Sequence, residues 1–144
     1  MEPAARSAAT PRGGARRLAL WGPVAAHMVL ILTLSSFPRL PAPPGRLSDK
    51  QAHAIVYAVL TGLLCRALAG GRSSGLTAGP IAVAVVVAVA YGVTDEWHQS
   101  FVPGRQSEVA DLLADATGAG LAAVACFSWG IIERFRRSRS AAAR

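Results

Sequence analysis

The chain has 144 residues, of which 52% are hydrophobic and only 16% charged, against roughly 25% charged in soluble domains. Residues 18–34 and 76–94 contain no Asp, Glu, Lys or Arg, which excludes the polar faces that helices of a soluble protein need. The net charge of +7 does not read as a nucleic-acid surface, because the basic residues stand at the ends of apolar stretches without interleaved aromatics; no nucleic-acid partner is expected.

In chain order, residues 1–17 (MEPAARSAATPRGGARR) are basic and low in complexity, and are expected to form a disordered tail. Leu18–Phe37 is the first predicted span; its 20 residues make about 30 Å of helix, the hydrocarbon thickness of a bilayer. Arg16 and Arg17 imitate the start of a signal peptide, but the apolar run is long and no A-x-A-like site follows, so an uncleaved span is expected. His27 is its lone polar ring and reads as a packed residue rather than a ligand, and Pro23 predicts only a mild kink.

Pro38–Lys50 is a proline-rich loop. Ser48 followed by Gln51 has the spacing of a capping box, and opens a second span that runs to about Leu68. GGRSSG (Gly70–Gly75) is a turn, and Leu76–Val93 is the third span. In water IAVAVVVAVAY would read as a buried strand. Its place in an 18-residue apolar run predicts a helix, because in lipid the backbone must satisfy its own hydrogen bonds. A fourth span opens near Ser107 after the FVPGR turn and ends around Ile132, and residues 133–144 are expected to be a frayed basic tail. Cys65 and Cys126 lie within spans and read as small hydrophobes, with no disulfide.

The expected fold is therefore all-α: a four-helix transmembrane bundle over residues 18–132. Lys and Arg number eleven in the two tails and the turn near Gly70, against four in the other two loops. That bias predicts a multi-pass protein of the inner (plasma) membrane with both termini cytoplasmic.

Polar residues gather at the other, outward end. In the second span Asp49, His53 and Tyr57 are spaced i, i+4, i+8 and share a helical face bordered by Lys50. In the fourth, Glu108, Asp111 and Asp115 are spaced i, i+3, i+7. Between them Asp95, Glu96, His98 and Gln99 end the third span. Negative charge in a first helical turn is ordinary, which could account for Asp49 and Glu108. Asp115 is different, being followed by 17 uncharged residues (Ala116–Ile132). A charged Asp at mid-helix costs roughly 2.5–3.5 kcal/mol, so it is expected to face a partner; Lys50, His53 and Arg105 are the candidates. Asp95-x-x-His98 is half of a carboxylate–histidine metal motif, but no second pair accompanies it, and neither metal nor cofactor is expected. Ser100 and Ser107 lie in no nucleophile elbow, and no catalytic residue is assigned. Ala110, Ala114, Gly118 and Ala122 form a small-xxx-small stripe that invites close helix packing.

DKQAHAIVYAVLTGLL (Asp49–Leu64) followed by AYGVTDEWHQSFVPGRQSEVADLLADATGAGLA (Ala90–Ala122) resembles the VanZ-like family of small bacterial membrane proteins. The shared order is DK-x-x-H-x-x-x-Y, DE-x-H-Q-x-F-x-P-x-R and D-x-x-x-D-x-x-G. The resemblance implies a four-helix membrane protein. It also brings an association, through the family's named member, with lowered sensitivity to the glycopeptide antibiotic teicoplanin by a route other than remodelling the peptidoglycan peptide. The pattern maps onto Asp49, Lys50, His53, Tyr57, Asp95, Glu96, His98, Gln99, Phe101, Pro103, Arg105, Asp111, Asp115 and Gly118.

Three functions follow as expectations. The first is a non-catalytic polar pocket, formed by these charged and hydrogen-bonding residues, for an envelope lipid, a lipid-linked cell-wall precursor or a glycopeptide. The second is an enzyme acting on a lipid-linked substrate, with His98 and Asp95 or Glu96 as acid and base. The third is a structural membrane subunit whose ion network fixes helix register. The bilayer is the one partner common to all three, and a homo-oligomer is left open.

Overall fold

The computed structural model describes residues 12–38 and 47–142. The expected tail at 1–11, the middle of the proline-rich loop at 39–46 and residues 143–144 lie outside the described residues. Four helices follow in order: α1 (Arg12–Ser35), α2 (Asp49–Leu68), α3 (Ala78–Gln99) and α4 (Val109–Ala142), with a single 3-10 turn at Ser73–Gly75. All four are long and apolar enough to cross a membrane. The valine-rich run that could pass for a strand lies wholly within α3.

Local sequence explains several boundaries. Ser48 caps α2 by accepting from the Gln51 amide while the Gln51 side chain accepts from the Ser48 amide, the reciprocal pair the spacing predicts. Between α3 and α4, Pro103 and Gly104 form the centre of a tight turn closed by Arg105 N–H donating to the Val102 carbonyl. Gly104 has φ +87° there, a conformation open to glycine at the third position of a type II turn.

Two helices extend past their expected ends. α1 begins at Arg12, inside the expected tail, and α4 continues to Ala142 rather than stopping near Ile132. After Gly130 no Gly or Pro interrupts α4, the composition is Ala- and Arg-rich, and such residues favour helix in water as well as in lipid. At 34 residues α4 is about 51 Å long, so its last turns project beyond a bilayer.

α2 and α4 share the largest interface; α3 packs against both, and α1 lies mainly against α2. Gly118 makes the α2–α4 contact possible, since a Cβ there would fall on the Ala54 backbone carbonyl. Within the small-residue stripe Gly118 is buried, Ala114 and Ala122 are half-buried and Ala110 is exposed, so the close approach is centred on Gly118. Polar ties hold α1 in place: His27 Nε2 donates to the Val56 carbonyl at 3.0 Å, and Tyr91 Oη donates to the Met28 carbonyl at 2.6 Å. Cys65 and Cys126 are both unoxidised, and Cys65 belongs to the core. Leu30, Val86, Leu121 and Val124 point outward, as lipid-facing side chains do.

At one end of the bundle, arginines meet backbone carbonyls: Arg16 at Gly70, Arg66 at Ala19 and Arg134 at Leu76. The acids gather at the other end.

Candidate functional site

Asp111 and Asp115 stand one turn apart on α4, facing α2, with Gly118 directly below. The short distance between the α2 and α4 backbones at Gly118 and Ala54 brings their side chains into contact with Lys50 and His53. Lys50 Nζ donates to Glu108 Oε2 at 2.7 Å and also to Asp111 Oδ1. The Lys50 and Glu108 side chains are each about half in solvent, whereas Asp111 is buried. His53 Nδ1 lies 3.0 Å from Asp115 Oδ1. Of the three partners expected for Asp115, His53 is the one it meets.

α3 closes the cluster. Gly92 is the close-approach residue on this side, where an added Cβ would stand 3.0 Å from Asp115 Oδ2 and 3.4 Å from Tyr57 Cε1. Asp95, Glu96 and Gln99 are buried on the same face. Gln99 Nε2 donates to Asp95 Oδ2 at 3.0 Å, and Glu96 Oε2 accepts the Glu108 backbone N–H at 3.1 Å, which ties the end of α3 to the start of α4. Burial shows that Asp95 and Glu96 do not merely mark a helix end in water.

The cluster is short of donors. Among the described residues, Tyr57 Oη, Asp95 Oδ1, Glu96 Oε1 and Asp115 Oδ2 are buried without a hydrogen-bond partner. Buried polar atoms are nearly always paired in folded proteins. Four such orphans in one cluster leave hydrogen-bonding capacity that the described residues do not meet.

Two expected members stand elsewhere. His98 Nε2 bonds Ser36 Oγ at 3.0 Å, joining the end of α3 to the end of α1 rather than pairing with Asp95. Arg105 also turns to α1, its Nη2 lying 3.5 Å from the Leu34 carbonyl. The reason is angular. At about 100° per residue, Gln99 (i+4 from Asp95) lies about 40° from it and stays on the cluster face, whereas His98 (i+3) lies about 60° to the other side. Asp49 is exposed at the rim. Trp97 and Phe101 pack edge to face at 5.4 Å while exposed, as aromatic residues do at a membrane–water interface.

The metal-ligand geometry also differs from the Asp95–His98 half-motif. Two triples bring donor atoms within 4.8 Å of one another: Asp49, His53 and Asp111, and His53, Glu96 and Asp115. Sequence reasoning missed Gly92 and Ser36. Gly92 had a signal, a glycine inside an otherwise valine-rich helix; Ser36 had none, because its contact crosses 62 positions of chain.

With this arrangement established, the VanZ/LLP1 family model matches residues 15–132. The chain belongs to the VanZ/LLP1 family. Comparison with curated proteins and with solved structures gives no match. The family match spans all four membrane-crossing helices and includes every residue of the polar cluster. It stops at Ile132, so the aqueous extension of α4 lies beyond it. The protein is a multi-pass membrane protein of the VanZ type.

Proposed function

We propose that this VanZ-family protein binds the polar head of an envelope amphiphile in its acidic cluster, which opens to the outer face of the inner membrane with both termini in the cytoplasm. The ligand class is an envelope lipid, a lipid-linked cell-wall precursor or a glycopeptide, and occupancy modulates sensitivity to glycopeptide antibiotics. The observation that carries this reading is the convergence of α2, α3 and α4 on four buried polar atoms without partners. Three of these atoms are carboxylate oxygens and the fourth is a hydroxyl, so the complementary ligand surface is rich in hydrogen-bond donors or cationic. The half-exposed Lys50 at the rim, after donating to Glu108 and Asp111, keeps one ammonium N–H for an acceptor on the same ligand. The orientation is supported by the excess of Lys and Arg at the opposite end.

The experiment is a binding screen on protein purified in nanodiscs, with phospholipid, lipid-linked precursor and teicoplanin arms. Tyr57→Phe and Asp95→Asn are compared with wild type after each is confirmed folded. Saturable binding of one class, weakened about tenfold or more in both variants, supports the reading; wild-type binding to none of the three, or binding indifferent to both substitutions, removes it.

A catalytic reading keeps one specific support, with a different histidine from the one the sequence suggested. His53 Nδ1 against Asp115 Oδ1 is the geometry of an imidazole base oriented by a carboxylate. Time-dependent conversion of a lipid-linked substrate, abolished in His53→Gln, separates turnover from binding.

A further inference from the structure

Asp95, Glu96 and Asp115 are 4%, 6% and 0% exposed. Among the described residues no Lys or Arg makes an ion pair with any of them. Lys50 is engaged by Glu108 and Asp111, and Arg105 turns toward α1. Among the described residues, His53 is thus the one basic side chain bonded to this inner group. After Gln99 and the Glu108 amide have donated, one oxygen of each carboxylate is still unpartnered. Tyr57, 1% exposed and equally unpartnered, sits beside all three acids. A group of buried acceptors with so few donors calls for a ligand that can satisfy several oxygens at once.

We infer that His53, Glu96 and Asp115 are the protein ligands of a divalent transition-metal ion. Each offers a donor atom within 4.8 Å of the others. Around an ion at about 2.0–2.2 Å, neighbouring ligands stand about 3.0–3.5 Å apart, so rotamer adjustment closes the site without moving a helix. One imidazole nitrogen and two carboxylate oxygens suit Mn²⁺ or Zn²⁺; Ca²⁺ and Mg²⁺ favour all-oxygen sets. The alternative triple, Asp49, His53 and Asp111, is disfavoured because the Lys50 ammonium already sits on Asp111 and would repel a second cation. Asp95, held by Gln99, and Tyr57 then stand around the ion as hydrogen-bonding groups that orient its ligands or its water, the role such neighbours play in metal sites. Gly92 keeps space beside Asp115 Oδ2, which a side chain at that position would crowd.

A cation here also bears on the ligand proposed above: it turns an acid-lined cluster into a seat for a phosphate-bearing head. That consequence rests on the headgroup reading, but the metal site does not, and its test uses metal alone.

The full chain is purified in detergent without chelator and its metal content is measured by mass spectrometry. It is then stripped with EDTA and titrated with Mn²⁺ under electron paramagnetic resonance and with Zn²⁺ by calorimetry. About one saturable site per chain is expected, weakened about 100-fold or more in Glu96→Gln and Asp115→Asn and retained in Asp49→Asn, which alters only the alternative triple. Pulsed resonance of the wild-type Mn²⁺ complex reports the imidazole nitrogen, so the inference stays testable even if a variant does not fold. Absence of saturable binding, binding indifferent to Glu96→Gln and Asp115→Asn, or a bound Mn²⁺ with no nitrogen coupling would each overturn it.

Discussion

Gly118→Ala adds one carbon atom where α4 meets the backbone of α2. That carbon falls on the carbonyl oxygen of Ala54 and stands 2.7 Å from its carbonyl carbon and 2.9 Å from its Cα. Non-bonded carbons rest at about 3.5–4.0 Å. The obstructing atoms belong to a helix backbone and cannot rotate away, so α2 and α4 must part by about 1.5 Å to bring the Ala54 carbonyl oxygen back to ordinary contact. His53 adjoins Ala54, and Asp115 lies one turn before Gly118. The same movement therefore stretches the 3.0 Å contact between His53 Nδ1 and Asp115 Oδ1 to about 4.5 Å, outside hydrogen-bond range. Overpacking costs about 1–3 kcal/mol, and a buried acid that loses its partner costs about 1–3 kcal/mol more. The sum, about 2–6 kcal/mol, is a large part of a stability of about 5–15 kcal/mol. Reversible unfolding in mixed detergent micelles, followed by tryptophan fluorescence, measures it. Gly120→Ala is the control, because nothing lies within 4 Å of a Cβ there; it should stay within about 1 kcal/mol of wild type. Equal stability of the two alanine variants would refute the close-packed α2–α4 contact and the dependence of the cluster on it.

Four further outcomes follow from the same geometry. Lys50→Met should destabilise by about 1–3 kcal/mol, because buried Asp111 loses its ammonium partner, whereas Glu108→Gln, at the exposed rim, should cost under about 1 kcal/mol in the same titration. Tyr57→Phe removes a buried hydroxyl without a protein partner, so the purified protein should be as stable as wild type or more so, while ligand or metal affinity falls; a loss of stability in chelator-treated, lipid-depleted protein would show that the hydroxyl has a protein partner. Gly92→Ala meets only side-chain atoms, which can yield, so it should destabilise less than Gly118→Ala, by about 1 kcal/mol; an equal or larger loss would mean that α3 is as tightly held as α2. In a background of Cys65→Ala and Cys126→Ala, a membrane-impermeant maleimide applied to intact cells should label Gln106→Cys and not Ser74→Cys, and the reverse pattern would invert the proposed topology.

The legible features were those fixed by near neighbours in the chain. Ser48 and Gln51 form their capping box within three residues, so spacing alone reveals it. Asp49, His53 and Tyr57 share a face because helical periodicity places them there, and likewise Asp111 and Asp115. Which face meets which was not legible, because it depends on the rotation of each helix about its own axis. That rotation follows from where backbones can approach, at Gly118 against Ala54 and at Gly92 against Tyr57 and Asp115. Small residues at a four-residue period announced the first of these contacts, while the second rested on a single glycine. His98 shows the consequence: being three residues from Asp95 suggested a pair, but the orientation of α3 turns His98 to Ser36 on α1. The run of α4 to Ala142 escaped notice for another reason. Bilayer thickness bounds how much helix must be apolar, but it places no limit on a helix that continues into water.

The partner-poor atoms also decide between a site and a mere brace. A buried ion network kept only to fix helix register gains nothing from oxygens that lack partners. Each such atom carries its full desolvation penalty, and well-packed apolar residues of similar volume often serve as well or better. Lys50 with Glu108 and Asp111 fits the description of a brace: its ammonium bonds both carboxylates, none of the three side chains has a buried atom without a partner, and it links α2 to the start of α4. The inner group does not. Asp115 is among the largest fully buried side chains of the described residues, yet it uses one oxygen on His53 and leaves the other without a partner, one helix away from Glu96 and Asp95 in the same condition. If register were its only role, Asp115→Asn and Glu96→Gln would weaken the brace and lower stability, with no binding to lose. Should both variants prove more stable than wild type while losing metal or headgroup binding, the acids are retained at a cost to the fold for the sake of what they bind.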